Sequence, residues 1–314
     1  MTRYIETVRS GKIHSLIQAA RDILKSCVLC PRRCRVDRAS GQTGLCQTGS
    51  QAIVADYSLH FGEEAPLVGQ GGSGTIFFAG CNLLCCFCQN YEISHDVHSG
   101  LAAKPENLAA IMLDLQQKGA LNINFVTPSH VVPQILESLP LAVDLGLTLP
   151  LVYNTSAYDS LGALRLLDGV IDIYMPDVKF ESPDSARKYL NASDYPDRAK
   201  EAVKEMHKQV GDLRINDYGI AEQGLLVRHL VMPENLAGTK QWMDFLAQEI
   251  SPDTYINIMD QYRPCGLASN HPEINRCITA HEYKAAKIQA FDSGLHRLDD
   301  RSGHMKLLRI QKLF

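Results

Sequence analysis

From residue 75 onward, short apolar runs alternate with longer stretches whose apolar residues recur at helical spacing. The runs 75–79, 122–126, 149–153, 171–175, 225–231 and 255–259 are rich in β-branched and aromatic residues and bounded by polar or turn-forming ones, which predicts buried strands. The stretches 105–118, 130–145, 157–167, 184–210 and 239–249 between them carry one apolar face each and are predicted helices. Strands and helices in strict alternation predict an α/β domain with a parallel sheet and crossover helices. Ahead of this region, Ile13, Leu16, Ile17, Ala20, Ile23 and Leu24 share one face of a predicted helix over 13–26. Residues 47–74 are predicted as a connector that packs against the mouth of the sheet, with His60, Glu63 and Glu64 as polar loop groups. The tail 306–314 is mildly basic and carries no motif.

Composition narrows the field. At 314 residues, with 45% hydrophobic content, the chain can bury one large core with a small appendage. A net charge of −4 gives no general pull toward nucleic acid or an anionic membrane. No stretch approaches the ~20 apolar residues of a membrane helix, and residues 1–10 lack the apolar core of a signal peptide. Ten cysteines are therefore expected to serve as metal ligands in a reducing cytoplasm rather than as disulfides.

The cysteines are clustered. Cys81, Cys85 and Cys88 follow the first strand with spacing C-x3-C-x2-C, and Gly80 breaks the strand just before them. A tight loop with this spacing can aim three thiolates at one face of an iron–sulfur cube and leave the fourth iron open to a small molecule. Three ligands with a water would also suit zinc. Cys86 is expected to be a packed side chain. A second group, Cys27, Cys30, Cys34 and Cys46, has spacing C-x2-C-x3-C-x11-C and supplies four soft ligands for one zinc ion or one iron–sulfur centre. The run Gly69-Gln-Gly-Gly-Ser-Gly74 has no Lys-Ser/Thr after it and leads into a strand, so it is no phosphate loop. Its glycines are expected to let the backbone come close to the cluster. Cys265 and Cys277 stand apart.

With Phe87 in the aromatic slot before Cys88, the loop resembles the radical S-adenosylmethionine (SAM) superfamily, whose signature is C-x3-C-x-aromatic-C. The words Gly-Thr-Ile-Phe-Phe-Ala-Gly-Cys-Asn-Leu, Cys-Gln-Asn-Tyr-Glu-Ile-Ser and Met-Asp-Gln-Tyr-Arg-Pro resemble its pyruvate formate-lyase activating-enzyme-like branch, as does Cys-x-x-Cys-Pro-Arg-x-Cys near the start. The resemblance covers nearly the whole chain. It implies a partial open (β/α)6 barrel over 61–294, preceded by a helix and four-cysteine metal-binding region over 1–60 and followed by a tail over 295–314. It also implies a 4Fe–4S cluster on Cys81, Cys85 and Cys88, SAM at the open iron, and a one-electron donor such as flavodoxin or ferredoxin. Activases of glycyl-radical enzymes often carry a ferredoxin insert after the cluster loop, whereas residues 89–121 here hold no cysteine.

In parallel α/β barrels the active site gathers at the C-terminal strand ends. The second strand ends in Thr127-Pro-Ser129-His130, where many members of the superfamily have Gly-Gly-Glu-Pro; Thr127 and Ser129 offer oxygens to the SAM ammonium, and His130 stands beside them. Helix capping is the plainer role for Ser129 and His130. The third strand ends in Asn154-Thr-Ser156, small polar groups that suit ribose hydroxyls or a carboxylate, or that cap the next helix. Asp177 and Lys179 alternate at the fourth strand end and can share one face. They resemble the Asp-x-Lys of pyruvate formate-lyase activating enzymes, which implies contacts to the SAM ribose and carboxylate; a solvated ion pair is the alternative. Arg228 and His229 interrupt an apolar strand, so at least one must point inward. A buried Arg needs an anion, either a ligand carboxylate or an internal acid. The segment Asp260–Gly266 is a polar cluster where substrate would enter.

These expectations add up to an enzyme that reductively cleaves SAM to a 5′-deoxyadenosyl radical and abstracts a hydrogen atom. A glycyl-radical protein is one substrate class, and a small molecule or another macromolecule is the other. A zinc or electron-transfer protein without catalysis is the alternative of another class.

Overall fold

The structure, a computed structural model, describes residues 2–299. The basic tail at 306–314 therefore lies outside the described residues.

Among the described residues nine strands form one mixed, open sheet. They are β1 (Ala52–His60), β2 (Ser73–Phe78), β3 (Leu101–Ala103), β4 (Ile123–Val126), β5 (Leu151–Thr155), β6 (Ile173–Val178), β7 (Arg214–Ile215), β8 (Ala221–Leu230) and β9 (Tyr255–Met259). Each of the six strands expected from the apolar runs is present, as β2, β4, β5, β6, β8 and β9. They pair in parallel in sequence order. Sequential parallel pairing requires a crossover between neighbours. Helices at Pro105–Gln117, Val132–Asp144, Leu161–Leu166, Pro183–Leu190, Tyr195–Val210 and Thr239–Phe245 lie in those crossovers. Ile76, Phe78, Phe125, Tyr153 and Tyr174 are buried within the sheet's core.

Several boundaries differ from expectation for local reasons. The predicted helix 184–210 is two helices, because Asn191 takes a left-handed conformation (φ 49°) and Pro196 opens the second. β5 and β6 end two to three residues later than the apolar runs suggest, which puts Asn154, Thr155 and Asp177 on the strands themselves. The predicted connector 47–74 contains β1, which pairs antiparallel with β2 and β3 at one edge. The glycine run approaches the far end of the sheet instead of the cysteine loop: a Cβ on Gly71 would lie 2.2 Å from the Gly119 carbonyl. The run leads into β2 and supplies its first two residues, Ser73 and Gly74, so it sits at the opposite end of that strand from Cys81.

The N-terminal helices Arg3–Arg9 and Lys12–Leu24 pack on the helical layer through Tyr4, Ile5, Ile13 and Ala20. Arg3 donates to the Asp172 carboxylate, the Ile171 carbonyl and Asp168, which ties the first helix to the start of β6. Among the described residues no helix is long and apolar enough to cross a membrane.

Candidate functional site

A cavity of about 470 Å³ opens at the C-terminal ends of the parallel strands. Its wall is built by the loop after β2, which contributes Cys81, Cys85 and Cys88, and by the ends of β4, β5, β6 and β8. The loop begins with Gly80 at φ 80°, where a Cβ would lie 2.4 Å from the Cys46 carbonyl. A glycine is required at that point. Leu84 is also left-handed (φ 57°), and the turn closes with the Cys88 N–H donating to the Cys85 carbonyl at 3.1 Å. Phe87 is buried edge-on against Phe180 and Tyr262, with centroids 5.6 and 6.0 Å away. This packing anchors the loop between its second and third thiols.

Six of the nine expected polar contacts line this cavity: Thr127, Asn154, Ser156, Asp177, Lys179 and Arg228. Lys179 Nζ donates to Asp177 Oδ2 at 2.8 Å, and both side chains are nearly buried. Among the described residues, Asp177 Oδ1 and Ser156 Oγ are buried without a hydrogen-bond partner. Such orphaned polar atoms on a cavity wall call for a polar guest. Thr155 was not singled out in the sequence, yet it lines the cavity too. Its hydroxyl donates to Asp159 Oδ2 at 2.6 Å, while Tyr153 donates to Oδ1 at 2.8 Å. Asp159 thus fixes the end of β5 from beneath.

The remaining three face elsewhere. Ser129 is buried and bonds Thr155 Oγ1. His130 is buried with Nε2 donating to the Ala79 carbonyl at 3.0 Å. His229 points to the side of the sheet opposite Arg228, where Nδ1 meets the Val178 carbonyl and Nε2 the Thr239 hydroxyl. Desolvation lowers the pKa of both histidines to about 4, so each is neutral at physiological pH.

Arg228 faces the cavity but already has anions. Its Nη1 lies 3.2 Å from Glu63 and its Nε 3.8 Å from Glu64, and Asn257 donates to Glu64 at 2.7 Å. Burial works against ionised Glu63, yet the His60 hydrogen bond and the Arg228 charge outweigh it and hold its pKa low. Burial dominates at Glu64 and raises its pKa. His60, expected in a loop, is the last residue of β1; with Glu63 it is part of the cavity wall, joined at the rim by Gln89, Asn90, Gln261 and Arg263.

Burial raises the Cys81 thiol to about 11 and pushes Cys85 well up. Cys86 lies outside the cavity lining, with its backbone N–H bound to Tyr189 and its carbonyl to Leu267. Cys27, Cys30, Cys34 and Cys46 come together around a second, smaller cavity of about 20 Å³ on the far side of the Ala79–Asn82 segment. Cys265 and Cys277 line neither cavity. Among the described residues, no group of three or more His, Cys, Asp or Glu side chains is arranged so that it could hold a metal ion as it stands. An iron–sulfur cube takes one thiolate on each separate iron rather than several on a single ion. The three-thiol wall, with cationic and orphaned polar groups opposite, fits such a group with a polar ligand beside it.

No family model matches the chain. Over 289 residues it is 30% identical to the uncharacterized protein MJ0674 of Methanocaldococcus jannaschii, a match that covers 90% of this chain and 79% of that protein.

Proposed function

We propose, for a chain that belongs to the family of the Methanocaldococcus jannaschii protein MJ0674, the function of a radical SAM enzyme built on a partial, open (β/α)6 barrel. The observation that carries this reading is the convergence of Cys81, Cys85 and Cys88 with Asp177, Lys179, Ser156 and Asn154 on one cavity at the strand ends. When bound, a 4Fe–4S cluster and SAM supply one-electron cleavage of the sulfonium to a 5′-deoxyadenosyl radical, which takes a hydrogen atom from substrate.

The chain's own residues divide the remaining work. Cys81, Cys85 and Cys88 are the cluster ligands. Asp177 Oδ1 and Ser156 Oγ, both orphaned and buried, accept hydrogen bonds from the ribose hydroxyls. Lys179, held by Asp177 at 2.8 Å, meets the SAM carboxylate. Arg228 keeps its charge against Glu63 and Glu64 and shapes the wall beside Lys179, which favours the internal-acid partner over the ligand carboxylate, the two that the sequence left open. Gln89, Asn90, Gln261 and Arg263 offer hydrogen bonds to substrate at the rim. A flavodoxin or ferredoxin supplies the electron, and a glycyl-radical protein is one substrate class that the branch resemblance points to.

The test is titration calorimetry with SAM on anaerobically reconstituted protein, followed by product analysis with a chemical reductant. The expected result is saturable SAM binding and reductant-dependent 5′-deoxyadenosine. Reconstituted protein that neither binds SAM nor forms 5′-deoxyadenosine refutes the reading and leaves the non-catalytic alternative.

A further inference from the structure

The second cavity carries an inference independent of the SAM reading. Cys27, Cys30, Cys34 and Cys46 line it together with Leu29, Val36 and Leu45, and beside its thiols it carries Asn82, His130 and, last, two arginines, with no carboxylate. One of these, Arg38, is only 1% exposed. Its Nε and Nη2 donate to the Gly49 carbonyl at 3.0 and 2.8 Å, its Nη1 donates to the His130 carbonyl at 2.8 Å, and Nη1 lies 3.9 Å from Cys27 Sγ. The other, Arg32, donates to the carbonyls of Asn82, Leu83 and Leu190 at 3.0, 3.1 and 2.9 Å. Among the described residues neither guanidinium has a carboxylate partner.

Burying a cation against neutral carbonyls alone is costly, and native structures normally supply an anion. The groups left to supply it here are the four thiols. Neutral thiols do not compensate a guanidinium. Four thiolates around a divalent centre are jointly dianionic, whether the centre is zinc or an oxidised iron–sulfur cube. We propose that Cys27, Cys30, Cys34 and Cys46, which as they stand are not arranged around a single ion, close on such a dianionic metal–thiolate centre, with Arg38 as its buried counter-cation and Arg32 as a second cation at its edge.

Gly44 is consistent with sulfur packing against bare backbone, since a Cβ there would lie 2.7 Å from Cys34 Sγ. The arginines also give the centre a task. Arg32 grips the carbonyls just after Cys81, and Arg38 grips the one at His130, whose ring holds the Ala79 carbonyl. The centre is therefore a clasp under the loop that presents Cys81 to the large cavity. Arg38 is a positioning residue, acting through the thiolates and the backbone.

The test uses the full chain with Cys81, Cys85 and Cys88 all changed to alanine, prepared anaerobically, so that metal at the other site is excluded. Zinc, iron and acid-labile sulfide are measured per chain. One zinc, or iron with matching sulfide, is expected, and Cys30→Ser should remove it. Arg38→Met in the same background should release the metal to a chelator about 10- to 100-fold more readily, the usual effect of losing a group that supports metal ligands. In metal-stripped protein the same change should not lower the melting temperature, because an uncompensated buried charge has been removed. If Cys30→Ser does not fold, metal content and Arg38→Met still decide. A chain without stoichiometric metal, or an Arg38→Met variant that holds metal as tightly as its parent, overturns the proposal. Neither outcome touches SAM binding at the other site.

Discussion

Lys179→Ala separates a ligand-holding pair from a structural one. Lys179 is buried, and desolvation alone would lower its pKa; the charge and hydrogen bond of Asp177 work the other way and the pKa is raised, so the ammonium is kept charged. Removing one partner from a buried ion pair typically costs about 3–5 kcal/mol, because the other charge is stranded. Asp177 would not be stranded here. Its strand position pairs with Arg228 on β8, the Arg228 guanidinium feels its charge, and both side chains face a cavity of about 470 Å³. The expected loss of stability without SAM is therefore nearer 1 kcal/mol, a drop of roughly 2–4 °C in melting temperature. SAM binding should suffer more. A hydrogen bond to a charged group contributes about 1.5–3 kcal/mol, and 1.4 kcal/mol is about tenfold in affinity, so the variant should bind SAM about tenfold to a hundredfold more weakly. Asp177→Ala should lose a similar factor through its free Oδ1. Calorimetry for SAM and thermal unfolding of SAM-free protein give the two numbers for each variant. A variant that melts more than about 10 °C lower yet binds SAM like its parent would show a structural ion pair and refute the assignment.

Other outcomes follow from the same geometry. Alanine at Cys81, Cys85 or Cys88 should abolish 5′-deoxyadenosine formation, while Cys86→Ala, outside the cavity lining, should keep most of it; loss of product in Cys86→Ala with retention in Cys85→Ala would reverse the ligand assignment. Arg228→Met removes the guanidinium from Glu63 and Glu64 and should cost about 3–5 kcal/mol, a fall in melting temperature that adding Glu63→Gln should partly restore. His229 has its pKa lowered to about 4 from an ordinary 6.5. The unfolded chain thus binds its proton first, and stability tied to neutral His229 is complete above about pH 6.5 and lost as pH falls toward 4. That share is about 3 kcal/mol, and His229→Gln should flatten the fall in urea-unfolding free energy between pH 6.5 and 4 by most of it.

The parallel strands were readable because each is an apolar run that stands out from its neighbours. β1 was not, because its apolar run stops after Ala52–Ala55 and Asp56–Ser58 are exposed. The cysteine loop was readable because its chemistry lies within eight consecutive residues. Arg228 and His229 show where one-dimensional reading stops. Side chains alternate across a strand, so the sequence requires the two to face opposite ways but not which one meets the cavity. Nor does it reveal that Glu63, 165 positions before Arg228, would take up that charge. Ser129 and His130 were placed by their position after β4, yet the short helical turn Pro128–His130 rotates both into the protein and leaves Thr127, left-handed at φ 56°, at the wall.

The electrostatics of the large cavity explain why its pieces belong together. Cys81 and Cys85 are buried, and burial holds both thiols protonated. Thiolate ligands therefore need positive charge nearby. Lys179 supplies some, since its charge acts to lower both thiols, but it is held by Asp177, and Arg228 is held by Glu63 and Glu64. Arg263 adds a further cation at the rim, but the charged groups beside the thiols are close to internally neutral. The charge that ionises the thiols must arrive with what they bind, which is the behaviour of metal sites, where binding releases ligand protons. Once the thiolates are committed, Lys179 and the orphaned oxygens of Asp177 and Ser156 remain facing the same space. That combination favours a guest that is zwitterionic and rich in hydroxyls, and disfavours a simple anion, which Asp177 and Glu63 would repel.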